Sequence, residues 1–185
     1  MTESPLILAI GDSLVAGYGL RASDSFPAQL QASLQHQHPG ALVINAGVSG
    51  DTAADTARRL PRLLSSLDRL PALAIVQVGP NDVLRQVQSA RTRAQLEQIV
   101  LSLRNCSIPV LLTTVEPPAF IRDRAAAYLG IHEELAAQHG ATVWPFFPPG
   151  VLGHSDMVLA DRVHPNAKAI SAVVAAMRPI VERML

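Results

Sequence analysis

Short runs of Val, Ile and Leu at 5–10, 42–45, 73–78, 109–114 and 142–144 alternate with longer stretches in which apolar residues return every three or four positions. Runs of this length between turn-forming residues predict strands buried on both faces, and the three-to-four spacing predicts amphipathic helices. Leu60, Leu63, Leu64, Leu67 and Leu70 make one helical stripe, and Leu96, Ile99, Val100 and Leu103 make a second. A third follows Pro165 with Ile170, Val173, Val174, Met177 and Val181. Stripes of this kind are core faces. The alternation of strand and helix patterns predicts βαβ units around a parallel sheet, and the Pro- and Gly-rich stretch 145–153 reads as a loop.

The polar residues fall where such a sheet would use them. Ligands of an open parallel sheet bind beyond the carboxyl ends of its strands, where the chain leaves on loops. Gly11-Asp12-Ser13-Leu14 follows the first strand, 45–52 the second, Gly79-Pro80-Asn81-Asp82 the third, and Asp161-Arg162-Val163-His164-Pro165 lies after the fifth. All four share one edge. Turn chemistry explains any one of them; together they supply a hydroxyl, an imidazole and a carboxylate. A serine needs a base to take its proton and a third group to orient that base, and these two ends of the chain provide all three.

Composition narrows the alternatives. With 185 residues, 49% of them hydrophobic, the chain suits one domain, 1–185, with a full core. Fifteen basic residues balance fifteen acidic ones without a long run of either sign, which argues against nucleic acid and against stable membrane association. The first residues have no positive n-region and the following apolar run is too short for a secretory leader, so the chain as written is expected to be cytoplasmic, or periplasmic or secreted if a leader has been removed. A monomer or small homo-oligomer is expected. The single Cys106 excludes an intramolecular disulfide and a cysteine zinc site, and reads as a buried small residue. His154 and Asp156 could join Asp161 and His164 around a metal, but they read as surface residues of a loop, so neither metal nor cofactor is expected. His36, His38, His132 and His139, on or beside helices, read as solvated. Gly17-Tyr18-Gly19-Leu20-Arg21-Ala22 fits a dinucleotide glycine pattern yet begins beyond the strand end and beyond Ser13, the wrong place for a pyrophosphate turn.

In order, Gly-Asp-Ser-Leu, Gly50 within Ser-Gly-Asp-Thr, Gly-x-Asn-Asp and Asp-x-x-His-Pro resemble the SGNH hydrolases of the GDSL esterase/lipase family along nearly the whole chain. Val48-Ser49-Gly50-Asp51-Thr52 and Pro145-Phe146-Phe147 are similar to its small bacterial thioesterase, lysophospholipase and arylesterase members. The resemblance implies an α/β fold, a flavodoxin-like three-layer α/β/α sandwich with a central, mainly parallel five-stranded sheet. It implies Ser13 as nucleophile, His164 as general base and then acid, and Asp161 as the group orienting the imidazole. The oxyanion hole it implies is the Ser13 and Gly50 backbone N–H groups with the Asn81 side-chain amide. Those residue types suit the task, since glycine allows close backbone approach and an asparagine amide is a donor on a short tether. Gly47 ranks behind Gly50 as a donor and reads as a turn residue, while Asp12 and Asp82 read as loop scaffolding. Pro80 departs from the subgroup, which usually has Gly there, and implies a stiffer loop. Val15 breaks a G-x-S-x-G reading, so the serine is not on an α/β-hydrolase elbow.

The constellation acts on a small-molecule ester or thioester and asks for no cofactor. Residues 115–121 follow the fourth strand on the active edge. Pro117 and Phe120, with Leu14, Val83 and Leu84, either wall a substrate site or pack the next helix, and both readings stay open. The length leaves no room for a lid domain, which favours short to medium acyl or aryl esters, with thioesters and lysophospholipids, over long-chain triglycerides. A carbohydrate O-acetylesterase would use the same triad, and a non-catalytic nucleotide-binding module is the reading outside the enzyme class.

Overall fold

The computed structural model describes residues 4–185. In chain order the elements are β1 (Leu6–Gly11), α1 (Ser13–Ala16), α2 (Phe26–Leu34), β2 (Leu42–Gly47), α3 (Ala53–Ser65), β3 (Leu73–Gln77), α4 (Pro80–Leu84), α5 (Ser89–Asn105), β4 (Val110–Thr114), α6 (Arg122–Ala125), α7 (Ile131–His139), β5 (Thr142–Pro145) and α8 (Ala167–Met184). The strands form one sheet in the order β2-β1-β3-β4-β5, every pair parallel, with β1 in register from Leu6 opposite Leu42 to Gly11 opposite Gly47. This is the flavodoxin-like order, whose switch point lies between β1 and β3.

Burial follows the pleat. In β1, Leu8 and Ile10 face a core shared with α3, α5 and α7, whereas Ile7 and Ala9 face the core shared with α2 and α8. A strand buried on both faces must be apolar at every position, and all six residues of β1 are buried. The predicted stripes of α5 and α8 are those that fill the two cores. Thr52 starts α3 through a capping box, its hydroxyl accepting the Asp55 N–H while the Asp55 carboxylate accepts the Thr52 N–H. Asn166 caps α8 by accepting the Ala169 N–H.

Several expectations change. α3 ends at Ser65, with Pro71 and a turn beyond it, so Leu67 is only partly buried and Leu70 is exposed. Cys106 is partly buried against the core. His132 and His139 are half-buried: His132 Nε2 lies 3.1 Å from the Val78 carbonyl, and His139 Nε2 lies 2.8 Å from a Glu97 oxygen. α4 escaped the periodic reading because five residues are too few to show a stripe; Pro80 opens it at the first helical position, where no N–H is needed. Among the described residues no helix is long and apolar enough to cross a membrane.

Candidate active site

Ser13 owes its place to its neighbours. At Gly11, the end of β1, an added Cβ would lie 2.5 Å from the Gln77 carbonyl oxygen and 2.6 Å from a Val15 methyl, so only glycine lets the chain turn so close to β3. Asp12 then caps α1, its Oδ1 accepting the Leu14 N–H at 2.9 Å, and Gly17 ends the helix in the left-handed conformation. Ser13 becomes the first residue of a single helical turn at the carboxyl edge of a central strand.

The far end of the chain reaches it. Ser13 Oγ lies 3.0 Å from His164 Nε2, and His164 Nδ1 lies 2.7 Å from Asp161 Oδ2. The other Asp161 oxygen accepts the Val163 and His164 N–H groups at 2.9 and 3.0 Å. These two amides and then the imidazole hold the Asp161 carboxyl down to about 2, so it stays ionised and keeps the proton of His164 on Nδ1. Nε2 is thereby left to accept from the serine hydroxyl. The turn is anchored behind by Leu159 N–H donating to the His164 carbonyl at 2.8 Å and by an isolated bridge between Val158 and Pro165.

Gly50 and Asn81 converge from the next two loops. Gly50 has φ +88 and Gly79, before α4, has φ +127, both in the region that glycine favours. Neither the Ser13 N–H nor the Gly50 N–H donates to a partner among the described residues. Asn81 Nδ2 lies 3.0 Å from the Asp51 carbonyl oxygen and 3.3 Å from Asp12 Oδ2. One turn further along, Arg85 donates to the Gly50 carbonyl at 2.8 Å, and the buried Asp82 accepts the Ala53 N–H at 2.9 Å and the Thr92 hydroxyl at 3.0 Å. Three side chains from 81–85 thus clasp residues 50–53. Arg59 closes the frame, donating to Asp51 Oδ2 at 2.6 Å and to the Gly11 carbonyl at 3.2 Å. Burial pushes the Asp12 carboxyl up to about 6, against the lowering effect of the Leu14 N–H, and burial also raises Asp82.

Two hollows border the loops that carry Asn81 and His164, though none of the triad or oxyanion residues lines either. A cavity of about 540 Å³ lies beside Pro80 and Val83 and is walled by Val115, Pro117, Ile121 and Phe147. A wider groove runs between residues 116–122 and 152–163. Val83 and Pro117 therefore line the first, Pro117 also borders the second, and Phe120 lies on the second at 80% exposure. Leu14 does neither: it is buried in the α2/α8 core, because its place in α1 turns it inward from Ser13. Leu84 is exposed and lines neither hollow.

Other sequence readings resolve physically. Gly47 is not a turn residue but a close approach, since a Cβ there would lie 2.2 Å from the Ala16 nitrogen. Gly17 ends α1, and a Cβ on Gly19 would meet a Leu159 methyl at 2.6 Å, so packing accounts for that glycine pattern. Asp156 is engaged with Lys168 Nζ at 2.6 Å. Residues the pattern missed include Arg59, Arg85 and Tyr18, whose ring lies 4.4 Å from that of His164. The spacing of Arg85, four after Asn81 and so one helical turn on, was the available signal.

Residues 9–169 match the GDSL-like lipase/acylhydrolase family. The chain belongs to that family. This GDSL hydrolase is 33% identical over 180 residues to esterase TesA of Pseudomonas aeruginosa, covering 97% of this chain and 89% of that protein. It is 34% identical over 164 residues to thioesterase 1/protease 1/lysophospholipase L1 of Escherichia coli, covering 88% and 76%. Among solved structures, that of AlinE4, an SGNH-hydrolase family esterase, superposes with a TM-score of 0.80 at 40% identity over 100% of this chain and 98% of that one. The chain is an ester hydrolase of the SGNH type.

Proposed function

We propose that the protein is a serine esterase that cleaves short to medium acyl or aryl esters, with thioesters and lysophospholipids as further substrates, through an acyl-enzyme on Ser13. The observation that carries this is the relay from Ser13 Oγ to His164 Nε2 at 3.0 Å and from His164 Nδ1 to Asp161 at 2.7 Å. His164 takes the hydroxyl proton as Oγ bonds to the carbonyl carbon. The resulting oxyanion draws on the N–H groups of Ser13 and Gly50 and on the Asn81 amide. Collapse breaks the bond to the alcohol or thiol, which receives the proton from His164, and water then repeats the sequence on the acyl-enzyme. The 540 Å³ apolar cavity beside Pro80 and Val83 suits an acyl chain or aryl group of modest size.

Treatment with a fluorophosphonate followed by peptide mass spectrometry is expected to place one adduct on Ser13, and Ser13→Ala is expected to abolish both adduct and turnover. Labelling of another serine, or full turnover by the variant, would overturn the assignment.

A further inference from the structure

Tyr18 is tied at its backbone to Ser13 and at its ring to His164. Its N–H donates to the Ser13 carbonyl at 3.1 Å, and its ring centroid lies 4.4 Å from that of the imidazole with the two planes 36° apart. Rings lying edge to edge in one plane cannot come so close, so the imidazole rests on the face of the phenol.

The glycines on either side of Tyr18 bring it there. Gly17 and Gly19 have φ +82 and +72, which bends the loop back over α1. A Cβ on Gly17 would lie 2.7 Å from Ser25 Cβ, and one on Gly19 would lie 2.6 Å from a Leu159 methyl. Leu159 in turn donates its N–H to the His164 carbonyl at 2.8 Å, so the loop 17–19 packs directly on the turn that carries His164. The ring is 52% exposed, and its hydroxyl takes part in no hydrogen bond among the described residues. Neither core burial nor the hydroxyl accounts for an aromatic residue at this position. What the ring meets is the imidazole.

We propose that Tyr18 is a positioning residue for the reaction, its π face seating the His164 imidazole and stabilising the positive charge that imidazole gains on taking the Ser13 proton. The inference rests on Ser13 and His164 being the reacting pair. An aromatic face carries negative charge density and attracts a cation within about 6 Å of its centroid. At a partly exposed site such a contact shifts an equilibrium by about two- to fivefold. The charged groups that act on His164 are Asp161 in its own turn, 2.7 Å away, and Asp12 at the cap of α1. Altering the ring of Tyr18 leaves both carboxylates in place.

The experiment changes the electrons of the ring and keeps its shape. Tyr18→Phe is compared with variants carrying difluoro- and tetrafluoro-phenylalanine in place of Tyr18, by kcat/KM for p-nitrophenyl butyrate from the acid side to the alkaline plateau. Tyr18→Phe is expected to match wild type. Along the fluorinated series the plateau is expected to fall in steps, to about two- to fivefold below Tyr18→Phe, while the acid limb moves to lower pH by about half a unit. The two shifts cancel on the acid side, where resting enzyme and transition state both carry the charged imidazole, so the profiles converge there. A packing role alone would lower the whole profile in parallel. That result, or a series without gradation, overturns the proposal. Titration of the His164 Cε1–H resonance, assigned by its loss in His164→Gln, reads the same interaction without turnover: a midpoint that falls along the series supports the proposal, and a constant one overturns it. A wild type that cleaves no ester and takes no fluorophosphonate on Ser13 would sink the Ser13 reading, while this titration would still decide the contact between Tyr18 and His164.

Discussion

The amide of Asn81 is bound to the carboxylate of Asp12: Nδ2 lies 3.3 Å from Oδ2, and its second hydrogen goes to the Asp51 carbonyl at 3.0 Å. The Ser13 and Gly50 N–H groups have no acceptor among the described residues, whereas the Asn81 amide already serves two. An oxyanion can draw on Asn81 only by taking the place of one of them, and the longer bond, to Asp12, is the one to yield. Asp12 thus does more than shape a loop. In the proposed mechanism it holds the amide against the residue next to Ser13 until charge develops on the substrate.

Asn81→Ala is expected to lower kcat by about 10²- to 10³-fold, the cost of losing one oxyanion donor in a serine hydrolase, with a much smaller change in KM. Because the same amide braces the Asp51 carbonyl, the variant also loses about 1 kcal/mol, or roughly 2–4 °C in melting temperature. Steady-state kinetics beside thermal unfolding check both parts. A variant that melts normally and turns over normally would remove Asn81 from the oxyanion hole.

Asp12 should make stability depend on pH in an unusual direction. Its carboxyl is raised to about 6 in the fold against 3.8 for the free group, so the folded protein holds this proton more tightly than the unfolded chain does. The stabilisation is fully present below 3.8 and is lost as pH rises through about 6, a change on the order of 3 kcal/mol. Asp12→Asn has no proton to lose there. Urea unfolding at a series of pH values should therefore show the variant gaining about that amount on wild type between pH 4 and 7. A constant difference across the range would mean that Asp12 is ionised throughout. Asp55 and Asp161, both lowered to about 2, act in a separate window further down, where their contributions are lost as pH falls.

Much of this was legible in the sequence because burial on both faces writes itself as unbroken apolar runs, as in Leu6–Ile10 and Leu73–Val76. The four polar clusters were legible as a set, since a parallel sheet brings its carboxyl ends to one edge. Direction was not legible. Leu14 follows Ser13 immediately, yet it enters the core because α1 is helical, and periodicity cannot reveal a four-residue helix. The clasp of α4 on residues 50–53 joins backbone groups to Asn81, Asp82 and Arg85 across some thirty positions, and backbone carbonyls leave no mark in a sequence. His132 looked solvated because its helix is mostly polar, but its ring lies against Gly79 and its Nε2 lies 3.1 Å from the Val78 carbonyl, partners that leave no mark in the periodicity.

Asp161→Asn is expected to leave the fold intact, because an amide oxygen can still accept the Val163 and His164 N–H groups. Its NH2 would instead face His164 Nδ1, favouring the tautomer that puts the proton on Nε2 and blocks acceptance from Ser13. The same exchange at a buried triad costs about 10⁴-fold. Asp161 is exposed and water can substitute in part, so a loss of roughly 10²-fold in kcat is expected. A variant retaining full kcat would show that the Asp161 carboxylate plays no part in the proton relay.

Gly47 and Gly50 should fail differently when a methyl group is added. At Gly47 the new Cβ would meet backbone, the Ala16 nitrogen at 2.2 Å and the Val15 carbonyl carbon at 2.7 Å, and backbone cannot swing aside as a side chain can. Gly47→Ala must therefore push α1 away from β2, carrying Ser13 with it, at a cost of about 1–3 kcal/mol or more from overpacking. At Gly50 the nearest obstacle is the far end of Arg85, 3.2 Å away, and the obstacle to alanine is instead φ +88. Gly50→Ala should cost about 1–2 kcal/mol of strain and lower kcat by tilting the N–H donor, while fluorophosphonate labelling of Ser13 slows in step. Thermal unfolding and the rate of labelling separate the two variants. Should Gly47→Ala prove as stable as wild type and label Ser13 at the wild-type rate, α1 is not held where the packing puts it.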